Sequence, residues 1–249
     1  MADRPIIFSA PMIRALLAGR KTQTRRILKP QPRPFECEGR SYWSAVPGIG
    51  GRIFVSDADL LAAHRWCVGD RLWVKETWQT GSGFDGPQIA FRATGDCHDI
   101  EAWDGEDEGA GPSFNYERCP GAKWHTWLPD LLSGAAGIWR PSLFMPRWAS
   151  RLTLLVTNVR GERLQDISEA DAVAEGIEPE AKPIEGTTYF RNYEAARGDH
   201  LPARASFASL WSSINGPESW QANPWVVAVT FSVHARNIDQ LAPIAEAAE

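Results

Sequence analysis

The stretch Leu16-Leu17-Ala18-Gly19-Arg20-Lys21-Thr22-Gln23-Thr24-Arg25-Arg26 joins a short helix pattern to a predicted strand. The apolar residues before it recur at helical spacing, and Ser9 is a suitable N-cap for that helix. Gly19 suits the position just after a helix, because glycine adopts the left-handed backbone that ends it. A strand is predicted from Lys21 to Leu28, and Pro30 ends it.

Lys21 with Thr22 and Thr24 can be interpreted as a catalytic group, as a phosphate-binding group or as an exposed strand edge. A lysine withdrawn from water loses its proton more easily and can activate an oxygen nucleophile. The same residues can hold a phosphate, and an isolated pattern of this kind commonly forms a basic, solvent-exposed strand edge. On a regular strand, positions 21 and 24 point to opposite faces. Lys21 and Thr24 therefore converge only if Lys21 precedes the strand, and Thr22 is a rival hydroxyl.

Length and charge restrict the class of protein. A chain of 249 residues and 27.6 kDa can bury a core without disulfides or metals. Its net charge of −5 and pI of about 5.6 argue against a protein whose main task is to grip long nucleic acid. The charge is unevenly distributed, with +7 in residues 1–33 and −8 in residues 96–117. We expect an anion-attracting amino-terminal segment and a separate acidic insertion.

The cysteines and the hydrophobic pattern predict a reduced, cytoplasmic protein. No two cysteines form a CxxC pair, which favours free thiols. Arg14 interrupts the first apolar run, so the pattern does not match a signal peptide, and no stretch reaches the length of a membrane span. We expect no membrane partner. The cysteines are Cys37, Cys67, Cys97 and Cys119.

A metal or organic cofactor has no clear binding pattern in this chain. Cys97, His98, Cys119 and His125 supply ligand types, but their spacing matches no familiar zinc site. The glycine-rich phosphate loops, the nucleophile elbow and the HExxH pattern are absent. We therefore predict that the protein uses no metal and no cofactor.

The remaining patterns predict an α+β protein. Residues 71–77 alternate as a strand, with 89–93 as its expected partner, and a weak helix pattern covers 58–64. The order of elements does not alternate as in a doubly wound fold. It favours a mostly antiparallel, partly closed small barrel with helices at the rim. Further predicted elements are a strand at 151–160, helices at 168–175 and 203–213, and a strand at 226–233.

Two carboxylates are candidates for proton transfer. Glu175 lies at the end of a predicted helix, where the helix dipole favours the protonated form that a proton donor needs. Glu76 shares a strand face with Leu72 and Val74, which favours an inward position, and an exposed glutamate at the strand end is the alternative. A buried carboxylate needs a partner, so we expect Lys21 or Lys75 beside Glu76.

The amino-terminal motif resembles the signature of ASCH domains, which belong to the PUA-like superfamily. Residues 68–74, 156–176 and 224–227 resemble the later strands and helix of that family, and together these segments cover about half the chain. The resemblance implies one PUA-like domain over residues 1–237, followed by a frayed tail at 238–249. It also implies long insertions at about 33–66, 95–147 and 178–202.

Within that superfamily the motif is similar to that of the bacterial N4-acetylcytidine amidohydrolases. This resemblance implies a metal-independent hydrolase that cleaves the N4-acyl amide of N4-acylcytidine or N4-acylcytosine, with Lys21, Thr24 and Glu175 as catalytic residues. The expected partner is a modified nucleoside or base. An RNA-binding module and an ASCH-type ribonuclease are the alternatives, so RNA contact stays open. Residues expected to contact the substrate are Arg20, Thr22, Arg26, Trp73 and Glu76.

Overall fold

A computed structural model of the chain shows two compact units. Unit 1 contains residues 1–2, 15–70 and 155–233, and unit 2 contains residues 3–14, 71–154 and 234–249. The helix predicted at 58–64 and much of the acidic segment lie outside the residues that the structure describes. The residues that the structure describes are 2–37, 40–44, 53–54, 66–84, 86–100, 115–181, 183–184, 186–194 and 200–241.

Eleven strands and four helices are found among the described residues. The strands are β1 (Asp3–Ile7), β2 (Gln23–Ile27), β3 (Arg33–Cys37), β4 (Arg40–Ser44), β5 (Ile53–Phe54), β6 (Arg71–Lys75), β7 (Trp78–Gly83), β8 (Gly86–Phe91), β9 (Asp96–Asp99), β10 (Thr153–Arg163) and β11 (Trp225–His234). The helices are α1 (Ala10–Leu17), α2 (Leu128–Ser133), α3 (Glu169–Ala174) and α4 (Ala203–Asn215). The predicted α+β class with mostly antiparallel pairing is confirmed. The described strands form no closed barrel.

In unit 1, the motif strand β2 lies at one side of a sheet with the order β10-β11-β2. β2 and β11 are antiparallel, with Thr24 opposite Val229 and Arg26 opposite Val227. A separate antiparallel sheet contains β3, β4 and β5. The predicted helix at 203–213 is confirmed as α4.

Helices α3 and α4 close the core of unit 1. Ser168 is the N-cap of α3, because its hydroxyl accepts a hydrogen bond from the Asp171 amide at 3.1 Å. Gly176, with a φ of +85°, follows the helix and supplies the left-handed residue beyond its end. Apolar side chains from both helices pack with those of the neighbouring strands. The buried residues of this core are Leu164, Ile167, Ala172, Ile177, Ala203, Phe207, Trp211 and Val226.

In unit 2, the strand predicted at 71–77 has a different partner from the one expected. β6 pairs in parallel with β1, and the Val74 amide donates to the Leu152 carbonyl at 2.9 Å. The expected partner β8 pairs instead with β7 and β9. The prediction was wrong because β7 follows β6 after only two residues, and a local hairpin with β8 closes at Gly83 and Gly86.

Two segments expected to be peripheral contribute to the core of unit 2. The predicted insertion at 95–147 supplies β9 and α2, and Leu128 and Leu131 of α2 are buried. The tail expected to fray continues as a 3₁₀ turn at Ile238–Gln240, with Ile238 buried. Asn237 caps this turn through a reciprocal pair of hydrogen bonds with Gln240, which explains its order. Residues 242–249 lie outside the described part of the chain.

No helix among the described residues combines the length and apolar character needed to cross a membrane.

Candidate functional site

Lys21 lies before strand β2 rather than within it. The helix ends before Gly19, which has a φ of +68°. The amides of Arg20 and Lys21 both donate to the Ala15 carbonyl, at 2.9 and 3.1 Å. Lys21 then forms an isolated antiparallel bridge with Glu175. Lys21 therefore leaves the turn before the regular strand geometry of β2 begins.

The Lys21 side chain is buried against the carboxyl end of α3. Its Nζ donates to the Gln23 carbonyl, the Glu175 carbonyl and Glu175 Oε2, each at 2.8 Å. Lys21 is 0% exposed and Glu175 is 6% exposed. Three oxygens match the three protons of an ammonium group. Burial lowers the pKa of Lys21, and the Glu175 carboxylate opposes that effect by favouring the charged form.

Glu175 is held by two cationic donors. Lys21 contacts Oε2, while Arg25 Nη1 donates to Oε1 at 3.1 Å. Glu175 is also the C-cap of α3, and its amide donates to the Asp171 carbonyl at 3.0 Å. Its backbone and both carboxylate oxygens are therefore fixed.

Arg25 belongs to a closed ring of five hydrogen-bonded side chains. Its Nε donates to Glu162 Oε1 at 2.7 Å, and Arg160 Nε donates to Glu162 Oε2 at 2.8 Å. Arg160 Nη2 donates to Asp171 Oδ2 at 2.8 Å, and Gln23 Nε2 donates to Asp171 Oδ1 at 2.9 Å. Arg25 Nη1 closes the ring by donating to Gln23 Oε1 at 2.9 Å. We call these residues the Arg25 ring.

The Arg25 guanidinium is fully buried and lies over the Phe207 ring, 5.8 Å from its centroid. Its Nη2 has no hydrogen-bond partner among the described residues, although Asp171 Oδ2 lies 3.7 Å away. The pKa of Asp171 reflects opposing effects. Partial burial raises it, but hydrogen bonds from Gln23 and Ser168 and the charges of neighbouring arginines bring it below the ordinary value.

Comparison with known proteins does not identify this site. No family model, curated protein or solved structure matches the chain. The likeness to ASCH domains therefore rests on the motif residues, and the chemistry on the contacts of Lys21, Glu175 and Arg25.

The other predicted motif residues surround this pair in different ways. Thr24 is 1% exposed and lies between Gln23 and Arg25 on β2, so strand alternation directs its hydroxyl to the opposite face from those two side chains. The Thr22 amide donates to the Ala174 carbonyl at 2.8 Å, which ties the start of β2 to the end of α3.

Two motif arginines lie next to the pair and are only partly buried. Arg20 Nη1 donates to the carbonyls of Gly176 and Ile177, at 3.1 and 3.2 Å. Burial lowers the pKa of Arg26, and the negative charge of Glu175 acts in the opposite direction. Both arginines retain partial exposure and are therefore the cationic side chains of the motif that a bound ligand can reach most directly.

Trp73 and Glu76 belong to unit 2. Trp73 is half-buried, and the Lys75 ammonium lies 5.3 Å from its ring centroid. Glu76 takes the inward of the two positions that the sequence left open and is 2% exposed. Its expected partner was wrong, because Arg151 takes both carboxylate oxygens, at 2.9 and 3.1 Å. Burial raises the pKa of Glu76, and Arg151 counteracts that effect.

Unit 1 has a groove that does not include the Lys21 pair. A groove of about 540 Å³ in unit 1 is lined by residues of α4 and its surroundings, including Glu169, Arg204 and Trp220. Neither Lys21 nor Glu175 lines this groove. Within the described part of the chain, no three His, Cys, Asp or Glu side chains are grouped so that they could hold a metal ion.

Sequence reasoning missed most of the Arg25 ring, although each part has a local signal. Gln23 and Arg25 follow Lys21 at every second position, the spacing that puts strand side chains on one face. Arg160 and Glu162 have the same spacing on a strand. Asp171 and Glu175 are four residues apart, which places them on one side of a helix. What the sequence lacked was any indication that these three pairs meet.

Proposed function

We propose that the chain is an ASCH-type hydrolase with a PUA-like fold that cleaves the N4-acyl amide of N4-acylated cytosine nucleosides or bases. The observation that supports this most directly is the buried Lys21–Glu175 pair, joined at 2.8 Å across 154 residues of sequence. These are two of the three residues to which the ASCH resemblance assigns catalysis. The pairing of β2 with β11 in a mostly antiparallel sheet is compatible with the PUA-like fold.

The chemistry needs a nucleophile, a proton acceptor and a proton donor. An oxygen nucleophile attacks the acyl carbon, and its proton passes to the Lys21–Glu175 pair. The bond between the acyl carbon and N4 then breaks, and the pair returns the proton to N4. Burial lowers the pKa of Lys21, which brings its proton exchange closer to neutral pH. The products are cytidine or cytosine and a carboxylic acid.

Water and Thr24 are the two candidate nucleophiles, and water is favoured because Thr24 points to the face of β2 opposite Arg25, which contacts Glu175. With Thr24, the acyl group forms an ester with the threonine oxygen, and water then hydrolyses that ester. With water, the acid forms in one displacement. Mass spectrometry of the protein after rapid acid quenching separates these routes, because only an acyl-enzyme adds the mass of the acyl group, and Thr24→Val abolishes that adduct.

RNA binding is less well supported, because much of the basic amino-terminal segment is already engaged. Lys21 and Arg25 are buried in ion pairs with Glu175. Arg20 donates to backbone carbonyls of its own unit, and Arg14 does so in unit 2, where it contacts the Ala93 carbonyl at 2.9 Å. The charge that suggested an anion-binding end is therefore partly neutralised within the fold.

The test is release of cytidine from N4-acetylcytidine, followed by absorbance, with a panel of other N4-acyl cytosines. Lys21→Met and Glu175→Gln are expected to lower kcat/KM by about 100-fold or more. Lys29→Met is the matched control, because Lys29 is an exposed lysine of the same segment. Thermal unfolding establishes that each variant is folded at the assay temperature.

Three results would overturn the proposal. The first is a wild-type protein that leaves every N4-acyl substrate intact. The second is full activity in folded Lys21→Met protein. The third is a mobility shift of labelled RNA at physiological salt, or an RNA cleavage ladder, from protein that is inactive on N4-acyl cytosines. Such a shift would assign a binding module, and a ladder would assign a ribonuclease.

A further inference from the structure

We infer that Arg25 is a positioning residue that fixes the Glu175 carboxylate against Lys21, and that the Arg25 ring holds Arg25 in place. This inference rests on the proposed function, since it assigns Arg25 a task in the same reaction. Arg25 contacts Glu175 at Oε1, the carboxylate oxygen opposite the one that accepts from Lys21.

The two oxygens of the Glu175 carboxylate have different donors. Lys21 takes Oε2 and Arg25 takes Oε1, so rotation of the carboxylate would break two charged hydrogen bonds at once. Without Arg25, the carboxylate would lose the charged hydrogen bond to its Oε1 and keep the one from Lys21 to Oε2. The Arg25 contact therefore determines which oxygen faces the lysine.

The Arg25 guanidinium is itself held in place by hydrogen bonds. Its Nε and Nη1 donate to three acceptors, on Glu162, Gln23 and Glu175, and these acceptors come from β10, β2 and the end of α3. The guanidinium is planar, so three such contacts fix its orientation. A lysine at this position would retain the charge but would lose the fork of donors.

The positive and negative charges of the Lys21–Glu175 pair and the Arg25 ring are equal in number. Lys21, Arg25 and Arg160 carry three positive charges, and Glu162, Asp171 and Glu175 carry three negative ones, so these six groups balance. Lys21, Arg25 and Glu175 are the buried members of this set, and buried ion pairs contribute little net stability compared with apolar packing, so stability alone does not explain their arrangement. Among the described residues, the charged groups around the pair include Arg20, Arg25 and Arg26 from the motif, Arg160 and Glu162 from β10, and Asp171 from α3.

The experiment compares Arg25→Met and Arg25→Lys with wild type by two independent readouts. The first is NMR titration of protein labelled with ¹³C-lysine. The chain has only five lysines, so the Lys21 signal is identified as the one lost in Lys21→Met. The second is the pH profile of kcat and KM for N4-acetylcytidine.

In Arg25→Met, the Lys21 titration is expected to move to higher pH, because a positive charge that opposes the ammonium is removed. The kcat is expected to fall by about 100-fold, with little change in KM, since a misplaced proton-transfer group costs roughly that much. Arg25→Lys is expected to restore the wild-type titration but only part of kcat. If Arg25→Met does not fold, this second variant alone still tests positioning, because kcat must fall while the titration stays.

Arg163→Met is the matched control. Arg163 also lies on a strand of unit 1 over an aromatic ring, 4.9 Å from the Trp225 centroid, but it is outside the Arg25 ring. Its loss is expected to lower stability without moving the Lys21 titration or the pH profile.

The outcomes distinguish this inference from the proposed function. An unchanged Lys21 titration in folded Arg25→Met, or an unchanged kcat in either Arg25 variant of an active protein, would overturn the positioning role. A wild-type protein inactive on every N4-acyl cytosine, together with a shifted Lys21 titration in Arg25→Met, would overturn the reaction. Control of the Lys21–Glu175 pair by Arg25 would then stand.

Discussion

Replacing Gly176 with alanine tests how tightly the Lys21 side chain is enclosed at the end of α3. A Cβ at position 176 would lie 2.7 Å from Lys21 Cβ, 3.0 Å from Ala15 Cβ and 3.2 Å from Lys21 Cα. Real Cβ contacts are rarely this short. The three atoms belong to or adjoin the backbone, so no flexible side-chain end can move aside. Backbone around Lys21 must shift instead.

The expected cost has two parts. Gly176 has a φ of +85°, and a residue with a Cβ costs about 1–2 kcal/mol in this left-handed region. Forcing a methyl group into a packed site adds about 1–3 kcal/mol. We therefore expect Gly176→Ala to lower the free energy of unfolding by about 2–5 kcal/mol.

Gly19→Ala is the control that measures the backbone part alone. Gly19 also follows a helix and has a φ of +68°, but a Cβ built there meets no atom within 4 Å. Its substitution should cost only the backbone term of about 1–2 kcal/mol. The difference between the two variants measures the collision with Lys21 and Ala15.

Equilibrium urea unfolding of the wild type and both variants provides the measurement, with similar m-values required for the comparison. Gly176→Ala should unfold at a clearly lower urea concentration than Gly19→Ala. Its kcat on N4-acetylcytidine should also fall, because the displaced backbone carries Lys21. Equal destabilisation by the two substitutions would refute the close packing of Lys21 against the helix end.

Three further predictions concern the two units separately. In unit 1, Ser168→Ala should cost about 1 kcal/mol in urea unfolding because the N-cap of α3 is lost, and an unchanged midpoint would contradict the cap. In the same unit, Asp171 has a pKa below its ordinary 3.8, so the stability it contributes is present above that pH and is lost as pH falls through the folded value. Asp171→Asn should therefore flatten the acid side of the stability profile, and a profile as steep as wild type would count against this assignment. In unit 2, Arg151→Met should cost about 3–5 kcal/mol because Glu76 loses its counter-charge. Adding Glu76→Gln should recover part of that loss, and purely additive effects in the double-mutant cycle would rule out the pair.

Much of the local structure follows from short-range patterns. The helix that stops at Gly19, the cap at Ser168 and the alternating burial of Leu72, Val74 and Glu76 each depend on residues a few positions apart. Backbone hydrogen bonds in a helix join neighbours, and alternation along a strand is geometric. Such features are therefore readable without knowing the tertiary structure.

The partners of the buried charges could not be predicted from such short-range patterns. Glu76 pairs with Arg151, 75 residues away, rather than with either lysine expected beside it. Any carboxylate would satisfy a nearby cation, so residue type alone does not select the pair. The selection depends on which strands lie side by side and on their register.

The sequence by itself determined that the chain is an α+β protein and that Lys21 leaves a helix end just before a strand, because local propensity and periodicity set these features. Only the tertiary structure decided that Lys21 meets Glu175 and that the Arg25 ring joins β2, β10 and α3. A buried charge is stable only where its counter-charges are brought to it, and those come from segments more than 130 residues apart in the chain.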